Sequence, residues 1–240
     1  MTMLRAVLLD LDDTLLANDM RRFLPPYFYA LGQRMARFVA PDRLVEMLLA
    51  STRVMMSNQD PTITNQQAFD ADFFPCLGHP ESEVRPLIHS FYEEDFPKLK
   101  QYTAPRPEAR PMVQALFDRG YAVAIATNPM FPRRAIEHRL EWAGVLDFPF
   151  QLVTSYENSH FCKPNPRYYQ EILDKLGCRP QEAIMVGDDL GNDIEPALQV
   201  GLHAFWITSG DASRSLAYAG LRGSLANCLA WVQAGGLSRL

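Results

Sequence analysis

Four short, continuously apolar runs constrain this chain most: 5–10 (RAVLLD), 121–127 (YAVAIAT), 183–187 (AIMVG) and 203–208 (HAFWIT). A run without polar alternation is the pattern of a strand buried on both faces. A weaker run lies at 151–154. Between the runs lie helical stripes, each followed by a glycine where helices stop. Met112, Val113, Leu116 and Phe117 precede Gly120; Ala135, Ile136, Leu140 and Ala143 precede Gly144; Tyr168, Tyr169, Ile172, Leu173 and Leu176 precede Gly177. After Thr208 and Ser209-Gly210, a last stripe at Leu225, Leu229 and Val232 predicts a final helix packing on the sheet. Repeated strand–helix alternation predicts parallel βαβ units, hence an α/β fold with a doubly wound parallel sheet.

Residues 16–104 break that rhythm and carry only helical periodicity. Its stripes are Phe28, Leu31, Met35 and Phe38; Leu44, Val45, Leu48 and Leu49; Phe69, Phe73 and Phe74; and Val84, Leu87, Ile88 and Phe91. Pro25-Pro26, Pro41, Pro61 and Pro80 are expected at the joints, where prolines start or stop helices. Two domains are therefore expected: an α/β core over 1–15 and 105–240, and an inserted all-helical domain over 16–104. An insert placed directly after the first strand overhangs the carboxyl edge of the sheet, where ligands bind in open parallel sheets.

The chain has 240 residues, 48% hydrophobic and 21% charged, which is ordinary for a globular protein with a sizeable core and excludes disorder, collagen and coiled coil. Its net charge is 23 − 28 = −5, which argues against sequence-independent nucleic-acid binding and against an anionic membrane surface. No stretch approaches the roughly 18 apolar residues of a membrane span. Asp10, Asp12 and Asp13 interrupt the apolar start too early for a signal peptide. Cys76, Cys162, Cys178 and Cys228 are scattered and lack metal-site spacing, so reduced thiols in a cytoplasmic protein are expected. No feature of the sequence specifies an oligomeric state.

The first run leads into Asp10-Leu-Asp12-Asp13-Thr14. In an extended chain Asp10 and Asp12 project to one side, and two carboxylates that close repel unless a cation sits between them. A hard divalent ion, most simply Mg²⁺, resolves that repulsion. A surface turn is the competing reading. A calcium loop fails at Leu15, where glycine is needed, and at Arg21, where a bidentate Glu belongs. The second run ends in Thr127-Asn128-Pro129, a hydroxyl and backbone N–H groups suited to a phosphate oxygen, or simply a turn. Lys163 precedes the next helix. The 183–187 run opens into Gly187-Asp188-Asp189-Leu-Gly191-Asn192-Asp193, a third acidic strand terminus.

In order and context these four motifs resemble the haloacid dehalogenase superfamily. They are the D-x-D-x-T of Asp10, Asp12 and Thr14, then Thr127, then Lys163, then the acidic motif from Gly187 to Asp193, and the resemblance covers about residues 4–208. The helical insert looks like the family's C1-type cap over a Rossmann-like core. The resemblance implies a Mg²⁺-dependent phosphatase acting on a small phosphorylated metabolite. It implies Asp10 as nucleophile and Asp12 as acid and then base, with Thr127, Asn128 and Lys163 holding the phosphoryl group. Asp10, Asp12 (through its backbone carbonyl) and Asp188 are implied as metal ligands, with Asp189 or Asp193 supporting them. Asp12 favours a phosphatase over a dehalogenase, because an alkoxide leaving group needs a proton and a halide does not. A phosphomutase of the same superfamily is the main alternative, and a non-catalytic phosphoacceptor domain a remoter one.

Asn18, Arg21, Arg22 and Arg53 are weaker candidates for facing substrate, since arginines on amphipathic helices mostly face solvent. Met55, Met56, Phe69, Phe73 and Phe74 read as core of the insert, with a hydrophobic substrate slot as the lesser reading. Cys162 reads as a buried thiol rather than one activated by Lys163, and His160 as structural or rim.

Overall fold

The computed structural model describes residues 3–208 and 218–240; Ser209-Gly210 lies outside them. Eight strands and nine α-helices are described. In chain order the first are β1 (Ala6–Leu9), β2 (Leu16–Ala17), α1 (Met20–Met35), α2 (Pro41–Met56), α3 (Asn65–Leu77), α4 (Glu81–Ser90), β3 (Ala104–Pro105) and α5 (Ala109–Phe117). Then come β4 (Ala122–Ile125), α6 (Arg133–Trp142), β5 (Leu152–Val153), α7 (Pro166–Leu176), β6 (Ala183–Gly187), α8 (Glu195–Val200), β7 (His203–Ile207), β8 (Leu221–Gly223) and α9 (Leu225–Gln233).

Six strands form one sheet in the order β5-β4-β1-β6-β7-β8, and every neighbouring pair runs parallel. The alternate residues of β1 explain the doubly wound layers. Val7 and Leu9 pack into a cluster with Met112, Ile136 and Cys228 from α5, α6 and α9. Ala6 and Leu8 pack on the other face with Tyr168, Ile172 and Ala197 from α7 and α8. All four β1 side chains are buried, which is why the run is apolar throughout rather than alternating. The sequence reversal of strand order falls at β1 and β6: the chain winds outward through β4 and β5, then returns to the other side. Such a switch point leaves a crevice at the carboxyl ends of the strands.

Residues 16–104 lie above that crevice. They leave and return through a two-stranded antiparallel neck, Leu16 opposite Pro105 and Ala17 opposite Ala104. The insert is therefore not purely helical; two-residue strands carry too little pattern to read. After α4 the chain continues as a π-helical turn over Phe91–Asp95 and a 3₁₀ stretch over Phe96–Tyr102. Pro25 and Pro26 do not break a helix as expected but lie inside α1. The stripe Phe23, Tyr27, Leu31 and Met35 is buried along that helix, and its burial outweighs the hydrogen bonds the two prolines remove. β8 is a further departure, since a three-residue edge strand with exposed Arg222 does not stand out as an apolar run.

An aromatic cluster ties the helical layer to the α/β body. The Phe96 ring stacks on Trp142 of α6 at 5.5 Å and meets Phe23 of α1 edge-on at 5.8 Å. Phe96 is fully buried. Truncation of such a ring leaves a cavity, so Phe96→Ala is expected to cost about 3–5 kcal/mol of stability, read as a lowered urea midpoint. A loss below about 1 kcal/mol, the level of an ordinary substitution, would show that the two layers do not depend on this cluster.

Candidate active site

The crevice is a cleft of about 740 Å³ lined by residues that follow the carboxyl ends of three adjacent strands. Asp10 follows β1, Thr127 follows β4 and Asp188 follows β6. The Asp10 N–H donates to the Val186 carbonyl at 2.9 Å, which continues the ladder one residue past β1 and aims the carboxylate over the sheet edge.

Lys163, on the segment leading into α7, is buried and reaches back into the cleft. Its Nζ donates to Asp10 Oδ1 at 2.8 Å and to Asp193 Oδ1 at 2.6 Å. Burial alone would lower a lysine's pKa, yet the two carboxylates drive it well above its ordinary value. Carboxylate oxygens of Asp10, Asp188 and Asp193 lie within 4.8 Å of one another. Three carboxylates, with Asp10 and Asp193 buried and Asp188 half-buried, against one ammonium leave excess negative charge among hard oxygen donors, a set that fits a divalent oxygen-seeking cation. Burial, together with the Asp10 and Asp193 charges, raises Asp188 to about 8. Burial and the Asp10 charge raise Asp193 to about 6 despite Lys163. Asp10 is raised by burial, with Lys163 opposing.

The close approach of Asp193 requires a glycine in β6. A Cβ on Gly187 would lie 2.3 Å from Asp193 Oδ2, so the carboxylate folds over the end of the strand only because no side chain is there. Its other contact, from the Asp189 N–H at 3.1 Å, holds it in that place. The Asp189 side chain is used differently. It accepts from the Gly191 and Asn192 N–H groups at 2.9 and 3.0 Å and caps the helical turn that follows.

Asp12 stands apart from the carboxylate group. One of its oxygens accepts from Asn18 Nδ2 at 2.6 Å, and the other is paired with Arg139 Nη1. The chain turns directly after Asp12: Asp13 adopts a left-handed conformation, φ 56°, and the Thr14 and Leu15 N–H groups both turn back to the Leu11 carbonyl. Asp12 still lines the cleft with Asp10, and its charge helps to raise the Asp10 pKa, while the close carboxylate group itself joins Asp10 to Asp188 and Asp193. Arg139 is buried, 1% exposed, and its guanidinium lies over the Phe131 ring at 4.7 Å. It was not a sequence candidate. Its only signal is a cation within the His138–Leu140 stretch of a helix whose apolar stripe runs through Ile136 and Leu140.

Across the cleft, the Thr127 carbonyl accepts from Thr154 Oγ1 and the Tyr168 hydroxyl, each at 2.8 Å. The Asn128 side chain accepts the Lys163 N–H at 3.2 Å, linking the two loops. Thr14 donates to Asp188 Oδ1 at 3.3 Å. Arg21 lines the cleft, but its side chain is 91% exposed and pairs with Asp19; Arg22 is also exposed and near Asp19. Arg53 is exposed and outside the cleft lining. Cys162 is buried, accepts from Asn65 Nδ2, and burial pushes its thiol up to about 12. His160 bonds Glu171 at 2.8 Å away from the cleft.

Asp188 and Asp193 bind protons more tightly in the folded chain than at the ordinary carboxylate value of 3.8. Between about pH 4 and pH 8 the folded state therefore holds more protons than the unfolded state, and stability falls as pH rises. Metal-free protein is expected to lose melting temperature from pH 5 to pH 8, and Asp188→Asn to flatten that loss. An identical pH slope in both proteins would contradict the assigned electrostatics.

The haloacid dehalogenase-like hydrolase family matches residues 4–201. The glyceraldehyde 3-phosphate phosphatase of Methanothermobacter thermautotrophicus is 26% identical over 210 residues, covering 86% of this chain and 87% of that protein. A solved HAD phosphatase from Thermococcus onnurineus superposes with a TM-score of 0.57 at 24% identity, over 99% of this chain and 100% of that one. A 2-haloacid dehalogenase from Pseudomonas syringae pv. Tomato DC3000 does so with a TM-score of 0.63 at 22% identity, over 98% and 100%. These two superpositions carry the fold; the family match and the curated relative carry the class. The chain belongs to the haloacid dehalogenase-like hydrolase family and is a hydrolase of the phosphatase type.

Proposed function

We propose that this chain is a Mg²⁺-dependent phosphatase that hydrolyses small phosphorylated metabolites through an aspartyl-phosphate on Asp10. The observation that carries this reading is the buried contact of Asp10 with Lys163 beside Asp188 and Asp193, at the carboxyl edge of the sheet. Asp10 and Asp188 would hold Mg²⁺ with Asp193 supporting them, which their grouping within 4.8 Å favours, and the resemblance to the family adds the Asp12 backbone carbonyl. When bound, Mg²⁺ neutralises charge between an anionic nucleophile and an anionic phosphate.

The residues themselves do the rest. An Asp10 carboxylate oxygen attacks phosphorus in line, forming the Asp10 O–P bond as the ester P–O bond breaks. Asp12 gives its proton to the departing alkoxide, then takes one from the attacking water. Water oxygen bonds to phosphorus, the Asp10 O–P bond breaks, and free carboxylate and inorganic phosphate result. Lys163, Thr127 and the Asn128 N–H surround the equatorial oxygens as preorganised donors. Arg139 and Asn18 each hold one oxygen of Asp12 and so orient the proton donor. The retained acid at Asp12 supports phosphatase over dehalogenase chemistry. Four unpaired cysteines support a reducing, cytoplasmic setting.

Asp10→Asn is expected to abolish phosphate release from p-nitrophenyl phosphate while leaving the circular dichroism spectrum unchanged, and excess EDTA to abolish it in the wild type. Wild-type turnover in either case contradicts the mechanism. Arg139→Met is expected to lower kcat by about 10²-fold with KM little changed, the loss typical of a misplaced general acid. A larger change in KM than in kcat would assign Arg139 to binding instead.

A further inference from the structure

A second cavity, of about 300 Å³, lies between the helical layer and the α/β body. Its wall is apolar: Leu24, Phe28, Leu44, Leu48, Phe69 and Ile88 face it from α1 to α4. Its two charged residues, Asp70 and Arg85, are paired with each other at 2.8 Å. The Tyr27 and Tyr92 hydroxyls, also on its wall, bond each other at 3.0 Å. These two pairs answer one another, which leaves the Thr52 and Tyr156 hydroxyls as the other polar side-chain groups of a mainly apolar wall.

This cavity adjoins the catalytic cleft. Met20, Met130 and Phe131 line both. The Phe131 ring stands at the junction of the two: Arg139 lies over it at 4.7 Å, and Tyr27 of the cavity wall meets it edge-on at 5.6 Å. The same arginine that holds Asp12 therefore also fixes the ring at the junction of the charged cleft and the apolar space.

We propose that the substrate is a phosphomonoester of an apolar alcohol. Its phosphate lies at Asp10 and its hydrocarbon body passes Met20, Met130 and Phe131 into the cavity. This rests on the phosphatase reading and adds its substrate class. At roughly 30 Å³ per water-sized group, the space takes about ten such groups. Burial of each added methylene contributes about fourfold in affinity until the cavity is full.

The test uses the whole chain with Mg²⁺ and n-alkyl phosphates from ethyl to decyl, together with the matching non-hydrolysable n-alkylphosphonates as binding probes. For the wild type, kcat/KM is expected to rise with chain length by up to about fourfold per methylene and to level off near ten carbons. Thr52→Phe and Ile88→Phe, two independent fillings of the half-buried cavity wall, are expected to flatten that rise while leaving ethyl phosphate turnover unchanged. Equal kcat/KM for ethyl and octyl phosphate in wild type overturns the proposal and leaves the phosphatase reading intact. If no ester is hydrolysed, that reading fails and the phosphonates decide the cavity: octylphosphonate binding tightly to wild type and weakly to both variants sustains an apolar ligand site. Equal binding of ethyl- and octylphosphonate overturns it.

Discussion

The Lys163 ammonium between Asp10 and Asp193 is the interaction on which the rest of the site depends. An unpaired charge at this depth would be costly to bury. Here the ammonium answers two carboxylates at 2.8 and 2.6 Å. It still leaves three carboxylates facing one cation, an imbalance that suits the site to a divalent ion. The geometry reaches back into the sheet: Gly187 lacks the Cβ that would displace Asp193, and the β1–β6 pairing sets Asp10 beside Asp188.

The fold sets two different environments side by side. Parallel strands of four or five residues end together at one edge, so their loops gather carboxylates, donors and Lys163 into one charged cleft. The inserted helices bury aromatic and aliphatic side chains against each other but leave an apolar cavity beside it. Phe131 and Arg139 stand at the junction. Arg139 links the layers chemically as well: it is held by α6 of the α/β body, yet it fixes Asp12 in the loop from which the helical insert departs.

Much of this was legible in the sequence because burial on both faces leaves unmistakable runs. Residues 5–10, 121–127 and 183–187 mark β1, β4 and β6, and the acids and Thr127 at their ends follow directly. Gly120, Gly144 and Gly177 mark helix stops because each adopts positive φ. The failures have equally physical causes. Arg139 reads as a solvated charge because helical periodicity does not reveal that α6 is buried on more than its apolar stripe. Pro25 and Pro26 read as a joint because local preference does not register the tertiary burial of Phe23 and Tyr27. The division of labour among Asp188, Asp189 and Asp193 depends on a helical turn whose cap, Asp189, is identical in residue type to its neighbour. Strand alternation puts Asp12 on the cleft side with Asp10, but it gives no sign that Asn18 and Arg139 hold its carboxylate outside the group of Asp10, Asp188 and Asp193.

The covalent intermediate tests the central claim most directly. Enzyme mixed with a ³²P-labelled phosphoester and Mg²⁺, quenched in acid within the first turnover and digested, should carry label on the peptide containing Asp10. The label should be lost on treatment with hydroxylamine, as an acyl phosphate is. Rapid turnover with no label on that peptide, or label on another residue, would contradict the account.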